Sequence, residues 1–240
     1  MSYKKSFLDL LGKSDDKEYV GLGNPNSNIL FIGKEAGAPA DDYMFHGSVL
    51  SWKSGNNYGI RYEPSESKIK NLNHTWQKYQ KLYNILFKDS VNLKEQQSKY
   101  EITFVEDIFT TELSNLPSPK TSEAKKNSNF KPKLERRRKS FFNSEFIQEF
   151  QIVIIFALDN QYIESYNGEV TELFTVSCTE PPIILDQGVK IWVNRGVTLS
   201  GKPKIVIHTR QLATRSALNI DSLLEKISEL VNDFKLENKL

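Results

Sequence analysis

Cysteine is nearly absent: Cys178 stands alone in 240 residues. A lone thiol excludes an internal disulfide, a four-cysteine iron–sulfur cluster and a thiolate zinc site, and it suits a reducing, cytoplasmic setting. No apolar run approaches the eighteen or so residues that a membrane span requires, so no membrane partner is expected. The amino-terminal stretch MSYKKSFLDLLGKSDD has a lysine pair and then a short apolar patch broken by Asp9. No small-residue cleavage site follows, so no signal peptide is expected. Net charge is scarce too, at +2, and the total therefore argues for no particular polyelectrolyte partner. Gly21-x-Gly23 is not a dinucleotide fingerprint, because it precedes a strand where that motif must follow one. No metal and no cofactor is expected.

The composition is 38% hydrophobic and 26% charged, which fits a globular chain, here read as one domain over residues 1–240 and as a monomer. Charge is unevenly spread. From Lys120 to Lys139, KTSEAKKNSNFKPKLERRRK holds nine Lys or Arg against two Glu. Such a run is either a solvated connection or a phosphate-facing patch that gains from counterion release.

Hydrophobic patterning predicts strands at Ile29–Ile32, Tyr100–Phe109, Ile152–Leu158 and Lys204–Ile207. Helices are predicted at Ser6–Leu11, after the N-cap candidate Asn73 through Leu86, at Lys133–Asn143 and at Asp221–Lys235. The stretch from Gly33 to about Lys70 reads as one long loop. Val170–Cys178 and Val189–Asn194 read as a hairpin or an extension of the sheet. Alternating strands and helices imply an α/β fold: a three-layer sandwich around a mostly parallel four-stranded sheet. Parallel sheets bind ligands at the carboxyl ends of their strands. The segments after Ile32, Val105, Leu158 and Ile207 are therefore the candidate site.

After the first strand comes GKEAG (Gly33–Gly37), and the last strand leads into HTRQLA (His208–Ala213). Taken singly, Glu35 reads equally as a first-turn acid favoured by a helix dipole, and His208 as a polar residue capping the sheet. Together and in this order, the two segments resemble those of the uracil-DNA glycosylase superfamily. That family has a Gly-x-Asp/Asn-Pro or Gly-Glu-Ala-Pro-Gly motif after strand one, and a His-led motif after the last strand. The resemblance implies a DNA N-glycosylase acting in base excision repair. It makes Glu35 and His208 the catalytic residues and Leu212 the side chain wedged into the duplex. YMFHG further resembles the segment with the base-stacking aromatic, which makes that residue Phe45. Gly33 would line the base pocket, and the family's base-reading Asn would fall at Asp107. Arg210, Arg215, Arg136, Arg137 and Arg138 would contact DNA. The sequence departs from the family at Ala36, Thr209 and Gln211, which stand where prolines are usual.

In this chemistry the base leaves the stack, and the transition state is oxocarbenium-like, with negative charge growing on the base. Glu35 would orient water, and His208 would donate to the base oxygen. Uracil's edge needs one acceptor and one donor. An amide supplies both, whereas ionised Asp107 only accepts. Either Asp107 lies outside the pocket, or the base is not uracil, or activity is lost. Asn115 and Asn160 are alternative amides. Two other functions fit the same residues: a non-catalytic nucleic-acid-binding module, and a hydrolase acting on a small nucleotide with the long loop as its lid.

Overall fold

The computed structural model describes residues 3–35, 47–54, 75–87, 102–116, 118, 120–164, 168–212 and 220–240. It is a mixed α/β structure built on a large, mostly parallel central sheet with helices on both faces. Four strands form the parallel centre: β2 (Ile29–Gly33), β3 (Phe109–Glu112), β4 (Ile152–Phe156) and β8 (Pro203–Thr209), in the spatial order β3-β2-β4-β8. The sheet has eight strands rather than the four expected. A short β1 (Leu22–Gly23) pairs antiparallel with β3. At the other edge β7 (Lys190–Val197) runs antiparallel to β8 and carries β5 (Val176–Ser177) and β6 (Ile183–Ile184). The Val170–Cys178 region begins as a helix, Glu169–Phe174, before its two-residue strand.

Side chains alternate across the sheet, so consecutive residues feed two cores. Leu30, Ile32, Val153 and Ile155 pack on one face against α1 (Lys5–Lys13), α5 (Phe130–Arg137) and α6 (Glu145–Gln148). Ile29, Phe31, Ile152 and Ile154 pack on the other, against α3 (Thr75–Phe87) and α8 (Ile220–Asn238). The aromatic stripe of α3 is core, as its helical spacing predicts: Tyr79, Leu82, Tyr83 and Leu86 are all buried.

The second strand starts later than the alternation in YEITFVEDIF suggests. Phe104–Glu106 forms a 3-10 turn, and the strand is the FTTE segment that follows. The Gln80 side chain accounts for the turn, because its Oε1 accepts from both Thr103 N (2.8 Å) and Phe104 N (2.9 Å). Inside β3 two of the three buried positions are polar, Thr110 and Thr111, and the Thr111 hydroxyl donates to Val20 O at 2.7 Å. The long segment after Gly33 also contains structure, a short helix at Val49–Lys53 capped by Ser48. Among the described residues, no helix is long and apolar enough to cross a membrane.

Candidate functional site at the carboxyl edge of the sheet

The delayed start of β3 moves its carboxyl end to Glu112, directly beside Gly33 in the parallel register. Pairing continues past both strands, with Leu113 N donating to Gly33 O and Ser114 N to Lys34 O. The two chains are thus held together while each presents a glutamate. Gly33 is needed here for space, since a Cβ at that position would overlap the Glu112 carboxyl. A side chain there would make the Glu112 carboxyl swing aside.

Glu35 Oε1 accepts a hydrogen bond from the Thr121 hydroxyl at 2.7 Å. Its Oε2 is buried without a partner among the described residues, as are Glu112 Oε2 and Asn115 Oδ1. Buried polar atoms are ordinarily satisfied, and three orphans in neighbouring segments mark a place built for something else. Burial pushes the Glu112 carboxyl up to about 8; the Glu35 charge adds to this and Arg137 opposes it. The residue keeps some exposure, but its Oε2 is sealed from solvent. Near neutral pH, Glu112 is therefore a carboxylic acid beside a second acid. A carboxyl kept protonated beside a second acid is the kind of group from which catalytic pairs draw their general acid.

A third strand end completes the cluster. Asp159, three residues beyond β4, accepts from Lys34 Nζ at 2.9 Å and from Lys125 Nζ at 2.8 and 3.0 Å. Burial alone would raise the Asp159 carboxyl, but the two lysine hydrogen bonds outweigh it and hold it below its ordinary value. Both ammonium groups also lie over the Tyr162 ring, at 5.4 and 5.7 Å, and Phe130 packs edge-on against it at 4.9 Å. Tyr162 is fully buried, and its phenol is driven up first by burial and then by a hydrogen bond to the Glu35 side chain.

The residues expected from the sequence separate into distinct groups. Gly33 and Glu35 lie in the cluster. Asp107 does not: it precedes β3, at the opposite end of the sheet, and its Oδ2 accepts from the Tyr83 hydroxyl at 2.6 Å. His208 lies at the same edge as Glu35, but β4 runs between their strands, so their backbones are roughly 10 Å apart. The imidazole is fully buried, and Nε2 donates to Ala157 O at 3.2 Å. Burial pushes it down to about 4 against that bond, so the ring is neutral and its Nδ1 can only accept. The expected donor role for His208 does not fit this geometry. Leu212 is also interior rather than protruding: it is fully buried in the α3–α8 core, and its carbonyl accepts from Lys78 Nζ. Asn115 lies just past Glu112, whereas Asn160 is exposed in the turn after Asp159. Phe45 and Arg215 lie outside the described residues.

The arginine run divides in the same way. Arg137 is buried, donating to Glu112 O (3.0 Å), Tyr19 O (2.6 Å) and Thr111 Oγ1 (2.9 Å), with its guanidinium 3.8 Å above the Phe141 ring. It props up β3 and has nothing to offer a phosphate. Arg138 forks onto Glu169 at 3.0 Å twice and also reaches Tyr162 O. Arg136 alone of the three faces solvent, along with Lys126, Lys131, Lys133 and Lys139. Arg210 is half-buried behind β8, and burial lowers its guanidinium below the ordinary value.

Sequence reasoning missed Glu112, Thr121, Asp159 and Tyr162, and placed Lys125 only within the basic, phosphate-facing run. Asp159 was within reach, being the first acid after the longest apolar strand. Glu112 was hidden by the misplaced strand. Among the described residues, no group of three or more His, Cys, Asp or Glu side chains is placed to hold a metal ion. No protein-family model matches the chain, and no curated protein matches it.

Proposed function

We propose that the protein has a uracil-DNA glycosylase-like fold and hydrolyses the N-glycosidic bond of a deaminated or otherwise damaged base in DNA. The observation that carries this reading is the Glu35–Glu112 pair on adjacent parallel strand ends, one acid protonated and each with an unpartnered oxygen. As a neutral acid, Glu112 offers one donor and one acceptor, the pattern of a carboxamide, which matches uracil's N3–H and a flanking carbonyl. The difficulty posed by an ionised Asp107 disappears, because the acid at the strand end is a different one and holds its proton. Glu35 orients the attacking water and stabilises the sugar cation. Glu112 goes beyond a carboxamide by transferring its proton to the base oxygen, where charge accumulates as the bond breaks.

The exposed row Lys126, Lys131, Lys133, Arg136 and Lys139 supports a polyanionic partner, because none of these cations has an ion-pair partner among the described residues. It starts one residue from Lys125, so a strand with its base at Glu35 would pass along α5. The same row would serve the alternative, a module that binds nucleic acid without cutting it. Oligonucleotides carrying uracil, hypoxanthine or xanthine separate the two. The expected result is alkali-labile abasic sites with the wild type and at least hundredfold fewer with Glu35→Gln or Glu112→Gln. Salt-sensitive binding with no alkali-labile product from any of the three bases would leave only the binding module.

A further inference from the structure

Sheet-like pairing at this edge ends, among the described residues, with Ser114 N donating to Lys34 O. The sheet therefore fixes the backbone as far as Lys34 and leaves the Glu35 side chain to other contacts. Two groups hold it: the Thr121 hydroxyl donates to Oε1 at 2.7 Å, and the Tyr162 phenol hydrogen-bonds the same side chain. These donors come from segments far apart in the chain, and both are anchored at Asp159. Thr121 opens α4 (Thr121–Ala124), whose C-cap is Lys125, and Lys125 Nζ bonds both carboxylate oxygens of Asp159. A helix of four residues has little stability of its own and depends on such an anchor. Tyr162 stands in the turn that Asp159 begins: Asp159 Oδ1 accepts from Gln161 N at 3.2 Å, and its carbonyl accepts from Tyr162 N at 2.8 Å. Lys34, the residue before Glu35, donates to Asp159 Oδ2 at 2.9 Å. One residue thus ties down the backbone that leads into Glu35, the helix bearing one donor and the turn bearing the other. All three charged side chains are largely shielded from water, so these are not screened surface pairs.

We infer that Asp159 is a positioning residue, which fixes the Glu35 carboxylate beside Glu112 by acting through Lys34, Thr121 and Tyr162. Its consequence for rate rests on reading the site as a glycosidic-bond hydrolase, whereas the placement itself is measurable without substrate. A glutamate side chain has several rotatable bonds, and a carboxylate that orients a reactant must have them fixed before the reactant arrives. Asp159 supplies that order from outside the reacting groups. The charges that bear on the Glu112 carboxyl are Glu35, which raises it, and Arg137, which lowers it. Asp159 therefore reaches Glu112 by way of where Glu35 is held.

Carbon-13 NMR of glutamate-labelled protein, with Glu112→Gln to assign the signal, follows the Glu112 carboxyl through its titration in the wild type, Asp159→Asn and Lys125→Met. The two substitutions change the local charge in opposite directions. Loss of the aspartate charge by itself lowers the Glu112 titration, and loss of the lysine charge by itself raises it. Release of Glu35 lowers it in both, and the expected result is a fall of roughly one pH unit in each. Lys125→Met keeps the Lys34–Asp159 pair, and a rise or no change in that variant overturns the inference. On the oligonucleotide the wild type cleaves best, Asp159→Asn should lower the single-turnover rate at saturating DNA by about tenfold to hundredfold, with the dissociation constant unchanged. Adding Thr121→Val should cost little more, because both substitutions act through one carboxylate. An unchanged rate in Asp159→Asn, or losses that multiply in full, overturns the inference and leaves the glycosylase reading standing. A wild type inactive on every base fells the glycosylase reading alone, and the two titrations then decide the placement of Glu35.

Discussion

Replacing Glu112 with glutamine tests the site without reference to any substrate. In the unfolded chain this carboxyl loses its proton near 4.5, whereas in the folded protein it holds it to about 8. Between those values the folded state binds more protons than the unfolded one, so stability must fall as pH rises from 4.5 to 8 and level off above. Each tenfold change in proton affinity is worth about 1.4 kcal/mol, which puts the penalty at roughly 5 kcal/mol for a sealed group. Glu112 keeps some exposure, and solvent screening reduces this to roughly 2–4 kcal/mol. Glutamine has nearly the same shape and no proton to lose, and its amide can donate toward Glu35. Glu112→Gln should therefore match the wild type at pH 4.5 and exceed it by roughly 2–4 kcal/mol at pH 9, or about 5–15 °C in melting temperature for a chain of this size.

The assay is a series of thermal or urea melts from pH 4.5 to 9 on both proteins, plotted as a difference. Titrating groups not coupled to Glu112 contribute equally to both curves and cancel. The Glu35 charge is the second cause of the raised value, so in a Glu35→Gln background the difference should shrink and its midpoint move down. A flat difference curve would refute the reasoning, since it would mean that Glu112 ionises in the folded protein as it does in the unfolded one.

Three other expectations follow from the same geometry. His208 resists its proton down to about 4 when folded but accepts it near 6.5 when unfolded, so stability falls by roughly 3 kcal/mol as pH drops through that window; His208→Gln should flatten the acid limb of the urea midpoint, and an unchanged limb would contradict the buried neutral ring. Asp159→Asn leaves the Lys34 and Lys125 ammonium groups without their carboxylate and should cost roughly 1–3 kcal/mol at pH 7, as for a buried partner removed; an unaltered urea midpoint would show the clamp to be idle. Lys131→Glu, Lys133→Glu and Arg136→Glu should each lower the slope of log affinity against log salt for duplex DNA by about 0.9 per lost phosphate contact, while Lys226→Glu on α8 should not; equal slopes in all four would place the nucleic acid elsewhere.

What could be read from the sequence depended on whether local pattern and tertiary role agreed. They agreed at Ile29–Gly33 and at Ile152–Phe156, where a strand covered on both faces is apolar at every position. They disagreed at β3, where Thr110 and Thr111 fill buried positions and Thr111 is satisfied by Val20 and Arg137. The more hydrophobic segment just upstream mimicked a strand, and the Gln80 side chain that turns it into a 3-10 helix comes from twenty-four residues away. The arginine run shows the reverse. Consecutive helical residues point about 100° apart, so Arg136, Arg137 and Arg138 could never share one face. Phe130, Leu134, Arg137 and Phe141 repeat at helical spacing, and the buried stripe passes through Arg137. That phase was visible in the sequence, but the charge of the residue concealed it.

The strand-end chemistry also explains why the acid at this site cannot be optimised for stability. The proposed reaction needs a donor where the base leaves. His208 does not supply one, because its Nε2 proton is committed to Ala157 O. The donor must then be a neutral acid, and an acid is neutral at pH 7 only if its surroundings oppose its ionisation. Burial over Gly33 and a second carboxylate nearby do this, and both work against the folded state above pH 4.5. Glu112→Gln removes that conflict and should separate the two properties, gaining stability as pH rises while losing the proton the base requires. A purely structural Glu112 predicts the opposite pairing, in which the variant that folds better works no worse.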